Sequence, residues 1–109
     1  MQQSGSKNPK VIDIEYVETM EILVRKSPVS HLCLEIKRLL QQKIPTATLI
    51  EYDIREDYVM WGTLSRLYPE AKIPPQVWFT MKNGVRWHVG GERQVREIFS
   101  TTLQEGVAV

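Results

Sequence analysis

Residues Pro75 to Gly91, PQVWFTMKNGVRWHVGG, give the clearest signal of local structure in this sequence. Two runs of β-prone residues flank the pair Asn83-Gly84, and an Asn-Gly pair in this setting is a strong signal of a tight β-hairpin. Alternation along both runs predicts two antiparallel strands that each turn one face to a core. The alternating apolar residues are Val77, Phe79 and Met81 on the first run and Val85, Trp87 and Val89 on the second.

Upstream of the hairpin, two strand patterns enclose a helix pattern. Residues 20–26 contain the continuous apolar run of a strand buried on both faces, and Ala47–Ile54, ATLIEYDI, is rich in β-prone residues. Between them, Ser27-Pro28 predicts a helix start, with serine as N-cap and proline at the first helical position, and Pro45 predicts its end. The predicted inward stripe is Val29, Leu32, Cys33, Ile36, Leu39 and Leu40.

Two further helices complete the pattern. The charged residues 53–57 lead into a helix that Pro69 ends, and Gly90-Gly91 leads into the last helix. The predicted inward residues are Met60, Leu64, Leu67 and Tyr68 on the first and Val95, Ile98, Phe99, Thr102 and Leu103 on the second. The order β-α-β-α-β-β-α combines a parallel pair with an antiparallel hairpin. It predicts one mixed sheet with helices on both faces.

The first residues differ in character from the rest of the chain. Residues 1–10 are polar and predict a tail, whereas Val11–Val17, VIDIEYV, alternates and suits either a short strand or an arm that pairs with another surface. A length of 109 residues suits one domain. We therefore expect a tail or arm over residues 1–18 and a single domain over residues 19–109.

The composition argues against several classes of protein. With 14 basic and 13 acidic residues and no basic block, the chain lacks the charge pattern of a nucleic-acid binder. Cys33 is the only cysteine, so an internal disulfide and a cysteine-based zinc site are excluded. No apolar run is long enough for a membrane span or a signal peptide. We expect a soluble, intracellular protein without nucleic-acid, membrane or metal partners.

Three pieces of the chain resemble segments of glutaredoxins, the phage-encoded ones most of all. Cys33–Leu40 resembles the segment that follows the second cysteine of the Cys-x-x-Cys motif. Pro75–Phe79, PQVWF, resembles the cis-proline motif, and Val89–Phe99 resembles the Gly-Gly turn and the last helix. The resemblance covers about Met20 to Phe99. It implies an α/β thioredoxin or glutaredoxin fold, with a four-stranded mixed sheet flanked by three helices, here with an N-terminal extension.

The chain differs from this family at the position of the reactive cysteine. Ser30 stands where the resemblance puts the nucleophilic cysteine, whose thiolate a helix N-terminus stabilises. A serine hydroxyl is a far weaker nucleophile, and the neighbouring His31 points about 100° away on a helix. Cys33 corresponds to the second, more buried cysteine. It is either a small core residue or a monothiol that reacts by itself.

The resemblance also implies a groove for an extended substrate such as glutathione. Pro74 precedes the expected cis-proline Pro75 and has no N–H, so it either removes a donor or only stiffens the turn. Lys26 either matches a ligand-binding lysine of the family or is a solvated strand-end residue. The candidate groove comprises Lys26, Ser30, His31, Pro74, Pro75, Gly90, Gly91 and Arg93.

Other residues near the last turn also have two interpretations. Gly90 and Gly91 either leave backbone amides free for an anion or only form a turn, and Arg93 replaces an aspartate that the family often has. Trp87 and His88 are either core residues or an exposed contact patch. Neither histidine has metal-ligand spacing with the cysteine, and the cysteine that the resemblance assigns to an iron–sulfur cluster is missing.

Two functions follow as expectations. The first is a redox-inactive module without a cofactor that binds a protein partner through the groove and the N-terminal arm, in a phage particle or as an accessory subunit of a larger enzyme. The second is a glutathione-dependent monothiol oxidoreductase acting through Cys33. The protein would be cytoplasmic, or part of a virion if phage-encoded. An engineered Ser30 in an otherwise active enzyme is a third interpretation.

Overall fold

The computed structural model describes residues 13–28 and 30–108, with side chains up to Ser100. It is an α/β structure with one four-stranded mixed sheet and three helices, as the sequence predicts. The strands are β1 (Val17–Val24), β2 (Thr48–Asp53), β3 (Gln76–Met81) and β4 (Arg86–Gly90). The helices are α1 (His31–Lys43), α2 (Tyr58–Leu67) and α3 (Glu92–Ala108). No helix in these described ranges is long and apolar enough to cross a membrane.

The strands lie in the order β2-β1-β3-β4. Strand β1 runs parallel to β2, with Leu23 opposite Tyr52, and antiparallel to β3, with Leu23 opposite Gln76. Strand β4 is antiparallel to β3. Strands β1, β2 and β4 therefore end at the edge of the sheet where β3 begins, and each of the three helices starts there. We call this the carboxyl edge.

Each face of the sheet has its own apolar core. Helices α1 and α3 pack on one face, where Ile36, Phe79 and Val95 are fully buried, and α2 packs on the other, where Leu64 and Trp78 meet. The pleat explains the division, because alternate residues of β3 point to opposite faces. Val77, Phe79 and Met81 lie together in the larger core, as the alternation predicts.

The hairpin forms at the predicted residues. Gly84 has a φ of +92°, a conformation that favours glycine, and its N–H donates to the Met81 carbonyl at 2.8 Å. The Asn83 side chain accepts a hydrogen bond from the Val85 N–H at 3.0 Å. Val85 belongs to this turn and is exposed, so the prediction that it alternates inward on the return strand is wrong.

The start of the first helix differs from the prediction. Ser30, not Ser27, is the N-cap of α1, because its hydroxyl accepts the Cys33 N–H. The Ser27–Pro28 peptide bond is cis and lies in the preceding turn. Leu32, which was predicted to face inward, lies outside the core at 38% exposed, and Val29 lies outside the described residues.

The inward face of the second helix also differs. Leu64 is buried and Tyr68 packs against it, as predicted, but Met60 is 37% and Leu67 is 62% exposed. Trp61 fills the place next to Leu64 instead. Periodicity did not separate these residues, because apolar side chains occur on both sides of this short helix.

At the start of the described chain, Ile14–Tyr16 forms a 3-10 turn with Asp13 as its N-cap. The Tyr16 carbonyl accepts a hydrogen bond from the Lys82 N–H at 2.9 Å, and Val17 begins β1. The predicted strand over Val11–Val17 is therefore wrong for residues 14–16, while residues 1–12, including the predicted tail, lie outside the described residues.

Candidate functional site

The candidate groove residues lie at the carboxyl edge. Lys26, Ser30 and His31 follow the end of β1, while Pro74 and Pro75 precede β3, the neighbouring strand. The remaining members, Gly90, Gly91 and Arg93, lie where β4 ends and α3 begins. The topology thus brings all eight residues to one end of the sheet.

Ser30 occupies the N-terminus of α1. Its Oγ accepts a hydrogen bond from the Cys33 backbone N–H at 3.3 Å, and its carbonyl accepts from the Leu34 N–H at 3.1 Å. The first N–H groups of a helix have no partner within the helix, and they give its N-terminus a partial positive charge. A side-chain anion at this position would be stabilised, whereas here a neutral hydroxyl accepts the bond.

The only thiol of the chain points into the core. Cys33 is 3% exposed and packs in the same cluster as Ile36 and Val24. Sulfur chemistry requires a thiolate that a reagent can reach, and burial opposes both ionisation and access. This position agrees with the interpretation of Cys33 as a small core residue.

Beside the start of α1 lies a shallow surface pocket of about 20 Å³ that opens to solvent. Its charged centre is Glu51, whose carboxylate contacts Lys37 Nζ at 2.8 Å and Lys26 Nζ at 3.9 Å. Lys26 therefore has a carboxylate partner from its own chain. The pocket is lined by Val24, Arg25, Lys26, Ser30, Cys33, Leu34, Lys37 and Glu51.

Asp53 anchors the turn that leads to this pocket, and sequence reasoning missed this function. Its side chain is buried, and Oδ1 accepts the Lys26 N–H at 3.3 Å across 27 positions of the chain. Its own N–H donates to Asp57 Oδ2 at 2.9 Å. The position of Asp53 at the end of a predicted strand is the sequence signal that could have indicated this role. Glu51 and Lys37 were also missed, because their pairing depends on how α1 packs across β2.

On the other side of the groove, Gly91 is packed tightly against the start of β3. The Pro74–Pro75 bond is cis, and a Cβ on Gly91 would lie 3.4 Å from the Pro75 carbonyl oxygen and 3.3 Å from Gln76 Nε2. The Gly91 N–H donates to Gln94 Oε1 at 3.0 Å. The Gly91 amide is therefore bonded within the chain and is not free for an anion.

The exposed aromatic patch is not present either. His88 is 9% exposed and its ring stacks on Trp78, while Trp87 is half-buried against the larger core. Both residues belong to the packed sheet. His31 and Arg93 do have exposed side chains at the carboxyl edge.

Across residues 13–28 and 30–108, no group of three or more histidine, cysteine, aspartate or glutamate residues could hold a metal ion. Comparison with known protein families, with curated proteins and with solved structures finds no match to this chain. What the site can do must therefore be inferred from its own geometry.

The cap geometry predicts that alanine substitutions at Ser30 and Ser27 lower the free energy of unfolding by different amounts. Ser30→Ala removes the acceptor of the Cys33 N–H and should lower the free energy of unfolding by about 1 kcal/mol. Ser27→Ala, at the position that the sequence favoured as the cap, should change it by less than about 0.5 kcal/mol. Urea unfolding of both variants measures the difference, and a larger loss for Ser27→Ala would contradict Ser30 as the cap.

Proposed function

We propose that this chain is a redox-inactive, glutaredoxin-like protein with a thioredoxin fold, and that it binds a protein partner through the carboxyl edge. The element order, the mixed sheet and the cis bond before β3 are compatible with that fold. The observation that carries the proposal is the pair Ser30 and Cys33. The hydroxyl lies at the helix N-terminus, and the thiol lies in the core.

The argument rests on where a reactive sulfur would have to be. A helix N-terminus lowers the pKa of a cysteine there and keeps its thiolate available to solvent. Ser30 holds that place, and a serine without a base to activate it neither attacks disulfides nor forms them. Cys33 follows three residues later with its thiol buried. The chain therefore keeps the helix start of a thiol enzyme without the nucleophile.

Two further contacts weaken the case for glutathione. Glu51 binds Lys26, the lysine that resembles a ligand-binding residue, and Gln94 binds the Gly91 amide. Pro74 offers no N–H next to the groove. An anionic tripeptide would compete with the Glu51 carboxylate near Lys26 and with the Gln94 side chain at the Gly91 amide.

Side chains at the carboxyl edge suit a protein surface instead. Leu34 is exposed beside the pocket and Ile73 is exposed just before the two prolines, while Arg25 and Arg93 supply positive charge nearby in the fold. Interfaces combine apolar contacts and arginines in this way. The partner that fits is a segment with apolar and acidic residues. The resemblance to phage glutaredoxins favours a phage particle or an accessory subunit, with the N-terminal arm as a second contact.

One observation favours the alternative function. Cys33 lines the pocket together with Lys26 and Lys37, so a small opening at Leu34 would bring cationic groups and the thiol to the same surface. Positive charge promotes thiolate formation. A monothiol oxidoreductase that uses Cys33 with glutathione therefore remains the competing proposal.

Restoring a cysteine at the cap tests whether this is the remnant of a redox site. The thiol of Ser30→Cys should have a pKa at least about one unit below the free-cysteine value of about 8.5, because the helix N-terminus stabilises its thiolate. Ser27→Cys, in the same turn but outside the cap, should stay near that value. The pH dependence of alkylation measures both. Equal values for the two variants would contradict the assignment.

A photo-crosslinking experiment tests docking. A benzophenone amino acid at His31 or Arg93, both exposed at the carboxyl edge, should capture the same protein from an extract of the native source. The same probe at Gln42, exposed near the other end of α1, is the matched control. Equal capture from all three positions, or none from the first two, would contradict a docking surface at this edge.

A further inference from the structure

A buried histidine, His88, lies on the α2 face of the sheet, on β4 and two residues before the groove residue Gly90. The His88 ring is enclosed by aromatic neighbours, with centroids 5.0 Å from Trp78 and 5.2 Å from Tyr68. Both of its ring nitrogens nevertheless have polar partners. These partners come from the segment between α2 and β3 and from the first residue of β3.

One ring nitrogen has a donor role that the chain itself fixes. His88 Nε2 lies 2.7 Å from Gln76 Oε1. The amide cannot be reversed without loss, because Gln76 Nε2 donates to the Ile73 carbonyl at 2.9 Å. Since the amide oxygen only accepts, Nε2 of His88 must carry a hydrogen.

The other ring nitrogen faces a carboxylate. His88 Nδ1 lies 3.3 Å from Glu70 Oε2, and the Glu70 side chain is otherwise 68% exposed. An ionised carboxylate only accepts hydrogen bonds, so this contact is a hydrogen bond only when Nδ1 is protonated as well. With Nε2 already protonated, His88 is then an imidazolium. In the neutral ring the Nδ1 lone pair faces the Glu70 oxygen, and nothing holds the two together.

We propose that His88 is a proton-controlled latch between β4 and the segment of residues 68–75. When His88 gains a proton, Nδ1 binds Glu70 and fastens this segment to the sheet. When His88 loses that proton, Glu70 is released to solvent while the Gln76 contact remains. The device works through one hydrogen bond that exists in only one protonation state.

The latch adjoins the carboxyl edge. Gln76 links the His88 ring to the Ile73 carbonyl, and its Nε2 is also the nearest atom to a Cβ placed on Gly91. The latched segment therefore includes the groove residues Pro74 and Pro75, which directly precede Gln76. The proposal does not depend on the docking function, because the contacts belong to the free chain and are measured in it.

The charges around the ring decide the direction of the pH dependence. Burial, the largest effect, lowers the pKa of His88 below 6.5, Glu70 opposes this shift, and Arg86 on the same strand adds to it. Arg86 is itself paired with Glu21 at 2.9 Å. The pKa of Glu70 is also lowered, first by a backbone hydrogen bond and further by its contact with His88, while burial opposes this shift; the lowering favours the ionised carboxylate.

The sign for stability follows from proton binding. Below 6.5 the unfolded chain takes up a proton that the folded chain still lacks, so the stability contributed by the neutral ring is lost as pH falls toward the folded pKa. Glu70 limits this loss, because it brings the folded pKa of His88 closer to the unfolded one. Acid therefore closes the latch in molecules that remain folded.

NMR titration of the full chain tests the latch, with the exposed His31 ring recorded in the same spectra. The neutral His88 ring should be the Nε2–H tautomer, and the amide signals of Ala71 and Ile73 should shift with the midpoint of His88. Glu70→Gln should lower the pKa of His88 by about half a unit or more and uncouple these amides. Glu56→Gln, an exposed carboxylate on the β2–α2 turn, is the control and should change neither.

Three results would overturn the proposal. They are an Nδ1–H tautomer in the neutral ring, an unchanged His88 pKa in Glu70→Gln, and amide shifts of Ala71 and Ile73 that persist with the His88 midpoint in that variant. Chemical shifts elsewhere in the sheet report whether each variant is folded, so a loss of the effect through unfolding is recognised in the same spectra.

Discussion

Strand β1 organises the sheet, because it pairs with β2 on one side and with β3 on the other. The parallel pairing requires a crossover, which α1 provides, and the antiparallel pairing brings the start of β3 next to the end of β1. Ser30 and Pro75 reach the same edge for this reason, although 45 positions separate them in the sequence. The site follows from strand order, and its chemistry follows from which side chain caps α1.

The sequence predicted what local patterns encode. The Asn83-Gly84 turn, the alternation along β3 and the order of strands and helices all appear in the structure. These features depend on the local backbone conformation and on burial that repeats every 2 residues in a strand or every 3.6 in a helix. Single residues and short spacings in the sequence determine both. The residues of the candidate groove came from the resemblance to glutaredoxins and not from these local patterns.

Features that depend on packing between distant elements were not predictable in this way. Ser27-Pro28 had the composition of a helix start, yet the cap is Ser30, and the Lys26 N–H in the turn before α1 donates to Asp53 from β2. Glu51 forms ion pairs with two lysines, and Gln94 accepts a hydrogen bond from the Gly91 N–H. The spacing of residues in the sequence does not predict these contacts. Leu67 and Met60 face outward because α2 covers only part of its face of the sheet with Trp61 and Leu64.

The most direct test of the account is the reactivity of Cys33 in the unaltered protein. Its labelling by a thiol reagent is measured in the folded and the unfolded chain, beside an assay of glutathione-dependent disulfide reduction. Because the thiol is 3% exposed, we expect labelling only after unfolding and no turnover above the rate in buffer. Rapid labelling of the folded chain together with turnover would contradict a redox-inactive protein and establish Cys33 as a reactive monothiol.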